Sequence, residues 1–156
     1  MADIVEQILR ASQDAADLYH RLVIVAGPSG SGKTVSVQKV ADHLNTSIIN
    51  VNLRLSESLL DLPHQERIIN IGRLLGDLIA DFENDVVILD NTEILFEADL
   101  KQNPLVLLQN LSRNRTIVTT WSGAVDKDSL TYAVPGHKEY RKYKVKDIIL
   151  INTEDK

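Results

Sequence analysis

The run Gly27-Pro28-Ser29-Gly30-Ser31-Gly32-Lys33-Thr34 has the pattern G-x-x-x-x-G-K-T. This stretch constrains the fold more than any other. Gly27, Gly30 and Gly32 permit backbone angles that a side chain would forbid, so the main chain can close around an anion. The successive N–H groups of the loop then point inward and cradle phosphates. The helix entered through Lys33, Thr34 and Val35 adds the positive end of its dipole. Lys33 supplies a point charge for the outer phosphates, and Thr34 supplies a hydroxyl to Mg2+. Such a loop needs a strand before it and a helix after it. Leu22-Val23-Ile24-Val25-Ala26 reads as a buried strand, and Val37, Val40, Ala41 and Leu44 recur at helical spacing. Without that setting, the same residues are only a glycine-rich strand-to-helix turn.

The chain has 156 residues, enough for one domain, and we assign 1–156 to a single unit. It divides into an N-terminal helix over 1–20, a core over 21–151 and a polar tail over 152–156. Hydrophobic residues make up 44% and charged residues 25%, the proportions of a soluble globular protein. The net charge of −5 argues against a broad nucleic-acid surface, though not against a local one. With no cysteine there is no disulfide, thiolate metal site or cysteine nucleophile. No apolar run reaches membrane-spanning length and no signal-peptide pattern opens the chain, so a cytoplasmic location without membrane contact is expected.

In chain order, residues 2–20 read as an amphipathic helix with Ile4, Ile8, Ala11, Ala15 and Leu18 on one face, packing on the sheet or on a partner. A second strand is expected over Ser47–Asn52, and a connector over 53–65 with a helical turn capped by Ser56. Ile68, Ile71, Leu74, Leu75, Leu78, Ile79 and Phe82 predict a long helix ending near Asn84. Asn103-Pro104 reads as a cap and first-turn proline for a helix through Leu105, Leu108 and Leu111. A fourth strand is expected over Thr116–Trp121. Residues 122–146 read as loop-rich, and Ile148–Ile151 as the last strand.

Val86-Val87-Ile88-Leu89-Asp90 carries the second half of the phosphate-loop signature. A strand buried on both faces delivers a carboxylate at its C-terminal edge, where Asp90 can hold Mg2+. In the large ATPase division that includes AAA+ proteins, a glutamate usually comes after that aspartate and activates water. Here Asn91 stands there; an asparagine can orient water but cannot take its proton. Glu93 can substitute if the turn is tight. Nucleotide binding is therefore better supported than hydrolysis. Arg113 and Arg115 precede the fourth strand, either as solvated charge at a helix end or as a finger reaching a neighbouring subunit's nucleotide. Thr119 or Thr120, at the end of that strand, can sense the γ-phosphate. Tyr132, Tyr140 and Tyr143 interleave with Lys138, Arg141, Lys142, Lys144 and Lys146, so 137–146 offers a possible DNA contact, a protein-docking surface or only solvated charge.

Alternating strands and helices predict an α/β, three-layer P-loop NTPase fold: a mainly parallel five-stranded sheet, helices on both faces, no C-terminal lid. By analogy with ATPases that insert a strand between the loop strand and the aspartate strand, the expected order is 5-1-4-3-2, numbered along the chain. The runs Asn91…Leu95-Phe96, Leu100–Pro104, Leu111-Ser112-Arg113-Asn114-Arg115-Thr116 and Leu130–Tyr140 resemble BrxF, the small P-loop protein family of type 3 BREX bacteriophage-defence loci. The resemblance spans nearly the whole chain, and that family also carries asparagine after the strand aspartate. It implies a nucleotide site at Gly27, Gly32, Lys33, Thr34 and Asp90. It also implies a prokaryotic cytoplasm and a role beside a large ATPase, a DNA methyltransferase and a PglZ-type protein.

Three functions stand as expectations. The first is an ATP- and Mg2+-binding AAA-like subunit with weak hydrolysis, assembling with itself or with other defence proteins. The second is a nucleotide-gated binding module without turnover. The third is a small nucleoside monophosphate kinase, since G-P-S-G-S-G-K-T is close to guanylate kinase loops, although no arginine-rich acceptor segment is present.

Overall fold

The structure is a computed structural model and describes residues 3–28, 30–132 and 141–153. Of the positions singled out above, Ser29, Lys138 and Tyr140, together with residues 137–140 of the possible DNA contact, lie outside the described residues.

Helices and parallel strands interleave along most of the chain, which then closes with an antiparallel hairpin and a last parallel strand. The elements are α1 (Ile4–Ala15), β1 (Leu22–Gly27), α2 (Lys33–Leu44), β2 (Ile48–Asn50), α3 (Val51–Leu59), α4 (His64–Ala80) and β3 (Val86–Asp90). Two 3-10 turns come next, at Glu93–Phe96 and Ala98–Leu100. Then come α5 (Pro104–Leu111), β4 (Thr116–Asp126), β5 (Ser129–Tyr132), β6 (Arg141–Lys144) and β7 (Ile149–Asn152). The parallel part of the sheet runs β2-β3-β4-β1-β7, with β5 on the far half of β4 and β6 on β5.

Period-two burial explains the layers. All six residues of β1 are buried. Leu22, Ile24 and Ala26 join a core with Leu55, Ile71, Leu75 and Leu108 from α3, α4 and α5. Val23 and Val25 join a second core with Ile8, Ala11 and Ala15 of α1 and Val37, Val40 and Ala41 of α2. A strand covered on both faces has no polar row, which is why β1 and β3 read as continuous apolar runs. α1 therefore packs within the domain, on α2 and the sheet.

Several boundaries differ from the sequence reading, each for a local reason. β2 stops at Asn50, whose side chain accepts a hydrogen bond from Leu53 N and so starts α3. Ser56, expected as a cap, is instead a mid-helix residue of α3. Asn103 does cap α5, accepting from Val106 N, with Pro104 in the first turn. β4 runs five residues beyond Trp121, and part of the expected loop over 122–146 is sheet. Its anchor is aromatic: Phe96 stacks on Tyr132 with centroids 3.6 Å apart, Trp121 meets Phe96 edge-on, and Trp121 Nε1 donates to Thr131 O at 2.9 Å. Gly123 is required there, because a Cβ would overlap the Thr131 carbonyl. The last strand also reaches into the segment expected as tail. Asn152 lies in β7, and Thr153 N donates to Ala26 O at 2.9 Å, carrying the β1–β7 pairing one bond further.

Candidate nucleotide site

The β1–α2 loop, the C-terminal end of β3 and the middle of β4 open onto one cleft of about 350 Å3, within the usual range of small-molecule sites, roughly 300–1,000 Å3. It is lined by Gly30, Gly32, Lys33, Thr34, Val35, Asp90, Asn91, Glu93, Thr120 and Ser122. Gly30 and Gly32 have φ of 81° and 90°, in the left-handed region that glycine enters without strain. Gly32 is the N-cap of α2, so that helix's unpaired N-terminal N–H groups face the cleft.

Lys33 is buried, and its Nζ donates to Gly27 O and Pro28 O, each at 2.8 Å. Burial pushes its pKa below the ordinary lysine value, while the Asp90 and Glu93 charges act in the opposite sense. An anion in the cleft would add to that stabilisation of the ammonium. On the facing wall, Thr34 Oγ1 donates to Asp90 Oδ2 at 2.8 Å, and Thr120 Oγ1 donates to Asp90 Oδ1. Asp90 is buried, so both carboxylate oxygens are held in place, one from α2 and one from β4. A threonine hydroxyl beside a fixed carboxylate is a hard-oxygen pair, and it suits Mg2+.

Glu93 joins the same cleft although it is not the residue after Asp90. Asn91 takes φ of 53°, which turns the chain sharply, and a 3-10 turn begins at Glu93. Asn52 then fixes the turn by three bonds: its N donates to Asn91 O at 2.8 Å, its Nδ2 to Glu93 Oε2 at 2.9 Å, and its Oδ1 accepts from Ile94 N at 2.7 Å. Ser122 Oγ lies 3.5 Å from Glu93 Oε1. Asn52 and Ser122 escaped the sequence reading because they stand 41 and 29 residues from Glu93. Only the sheet order brings them together.

The remaining expected positions fall elsewhere. Pro28 contributes its carbonyl to Lys33, and Ser31 Oγ accepts from Thr153. Thr119 is buried and donates to Thr120 O, which leaves Thr120 as the cleft residue of the pair. Arg115 is engaged within its own chain. Its guanidinium donates to Ile79 O and Phe82 O at 2.7 and 2.6 Å, bracing the chain where it leaves α4. Arg113 is exposed and sits over the Tyr19 ring, 4.5 Å from its centroid. Neither arginine lines the cleft.

Gly27 is the tightest point of the loop. A Cβ there would overlap Thr153 Oγ1 and lie 2.6 Å from Ser31 Oγ. Gly27→Ala is expected to cost about 1–3 kcal/mol through overpacking, read as a lower urea midpoint. An unchanged midpoint would show that this junction is loose.

A parallel sheet flanked on both faces by helices, with a glycine-rich loop joining β1 to α2 and a carboxylate ending β3, defines a P-loop NTPase-like fold. Among solved structures, C. elegans PCH-2, an AAA+ ATPase, matches with a TM-score of 0.50 and 16% identity over 96% of this chain. The chain spans only 41% of PCH-2, and at that identity the likeness is one of fold. No protein-family model and no curated protein matches the sequence. Among the described residues, no helix is long and apolar enough to cross a membrane.

Proposed function

We propose that this chain is an ATP- and Mg2+-binding, AAA-like P-loop subunit of a BREX bacteriophage-defence system, with slow ATP hydrolysis. The observation that carries the nucleotide reading is the convergence of Lys33, Thr34 and Asp90 on one cleft at a helix N-terminus. The BREX assignment rests on the particular runs around Arg113 and Tyr132 that resemble BrxF.

In this reading Lys33 and the loop amides would bind the β- and γ-phosphates, and Thr34 and Asp90 would hold the metal. Magnesium bound there neutralises phosphate charge. Glu93, oriented by Asn52 and Ser122, would accept a proton from an attacking water, and Asn91 and Thr120 line the same cleft. Among the described residues lining the cleft, Lys33 is the only cation. That disfavours a monophosphate kinase, which needs cations for a second phosphate. It favours completion of the site by another chain, with Arg113 as the residue available to act in trans. Partners would be further copies of this chain and the large ATPase, methyltransferase and PglZ-type proteins. Lys142 and Lys144, exposed on β6, would serve any DNA contact.

Titration calorimetry with ATP tests the metal arm. Wild type is expected to bind more tightly with Mg2+ than with EDTA. Asp90→Asn keeps one oxygen acceptor but loses the charge, and should lose about 10- to 100-fold of that metal-dependent gain. Equal magnesium dependence in the variant would remove Asp90 from the metal site.

A further inference from the structure

We propose that Thr153, at the end of β7, is a positioning residue for the phosphate loop. It ties Ser31 to β7 and so holds the loop in the curve that receives a polyphosphate. The inference rests on the nucleotide-binding reading above, but uses a residue outside the loop, outside the cleft lining and beyond the Asp90 strand.

Three observations converge. First, β7 pairs in parallel with β1 as far as Ala26↔Asn152, and Thr153 N then donates to Ala26 O at 2.9 Å. That bond fixes the Thr153 backbone beside the first residue of the loop. Second, the Thr153 side chain occupies the space that a Cβ on Gly27 would need, together with Ser31 Oγ. The absent side chain of Gly27 is thus what lets β7 touch the loop. Third, Thr153 Oγ1 donates to Ser31 Oγ at 3.2 Å.

The chemistry comes from the hydroxyl inventory. A serine hydroxyl has one proton and two acceptor lone pairs. With Thr153 bonded to that hydroxyl and wedged against Gly27, Ser31 is tied to β7 and the turn of the loop is held from outside. Ser31 N donates to Pro28 O at 3.1 Å, and Lys33 Nζ is shared between Gly27 O and Pro28 O. Gly27 O and Pro28 O thus already accept from Lys33 and Ser31, so these bonds hold the loop from within while Thr153 holds it from the side of β7. Thr153 also couples the outermost parallel strand to the site, since any shift of β7 along β1 would withdraw its hydroxyl.

The test is a double-mutant cycle read by calorimetry, with Mg–ATP and with magnesium tripolyphosphate as probes. Thr153→Val is close to isosteric and removes only the donor. It is expected to weaken both probes by about three- to tenfold, the worth of one hydrogen bond. Its melting temperature without ligand should stay within about 2 °C of wild type. Thr153→Ser restores the hydroxyl and should restore affinity. In a Ser31→Ala background, Thr153→Val should add nothing. If Thr153→Val binds both probes as wild type does, or weakens them equally in both backgrounds, this inference falls while the nucleotide site stands. If wild type binds neither probe, both fall.

Discussion

Glu93→Gln is expected to lower the turnover of bound ATP by about 100- to 10,000-fold, the range lost when a positioned general base is removed. Affinity for Mg–ATP should change by no more than about threefold, because the amide keeps the shape and the contacts to Asn52 and Ser122. Geometry sets this expectation. Asn91 occupies the place after Asp90 but cannot accept a proton as a base does, whereas Glu93 is brought into the cleft by the left-handed turn at Asn91. Its carboxylate is held from two sides, which fixes where a water could be bound. Single-turnover hydrolysis with radiolabelled ATP checks the rate, and calorimetry checks the affinity. If Glu93→Gln turns over at the wild-type rate while Asn91→Ala does not, the water-activating role belongs to Asn91. If wild type itself shows no turnover that Lys33→Ala abolishes, the protein is a nucleotide-gated module.

Lys33→Ala should weaken Mg–ATP binding by about 30- to 1,000-fold, corresponding to about 2–4 kcal/mol for loss of a buried, hydrogen-bonded charge facing phosphate. Two effects share that loss. The phosphates lose an ammonium whose proton is held more loosely than usual because of burial, so it gains more than an exposed lysine would on meeting an anion. The loop also loses the donor that ties Gly27 O to Pro28 O, so its closed shape is less well prepared. Lys33→Arg separates the two. The longer fork keeps charge but not the compact fit between two carbonyls, and should recover only part of the affinity. Circular dichroism of each variant checks that the fold survives. Retention of wild-type affinity by Lys33→Ala would mean that ATP binds elsewhere.

What can be read from the sequence is what depends on neighbours in the chain. The loop, its preceding strand and its following helix lie within Leu22–Leu44, and each carries its own signal: an apolar run, left-handed glycines, then helical spacing. Asp90 is legible because a doubly buried strand ending in an acid is itself a local pattern. The α5 cap at Asn103-Pro104 is legible for the same reason. The clamp on Glu93 is not, since Asn52 reads as the end of a strand until the Asn50 cap turns the chain into α3. The β5–β6 extension is also hidden. Its residues are polar on the outside, and its inward row of Leu130, Tyr132 and Tyr143 gains meaning only against Phe96 and Trp121. Thr153 reads as tail because one threonine carries no signal, while its contact with the loop spans 122 residues.

A crystal structure of this protein grown with Mg2+ and a non-hydrolysable ATP analogue tests the central claim most directly. The account predicts a triphosphate enclosed by residues 27–34, Lys33 Nζ drawn onto its outer oxygens, and one metal ion contacted by Thr34 and by Asp90, directly or through water. A fully occupied analogue bound away from the β1–α2 loop, or a cleft that stays empty at saturating analogue with Asp90 still bonded only to Thr34 and Thr120, would contradict it.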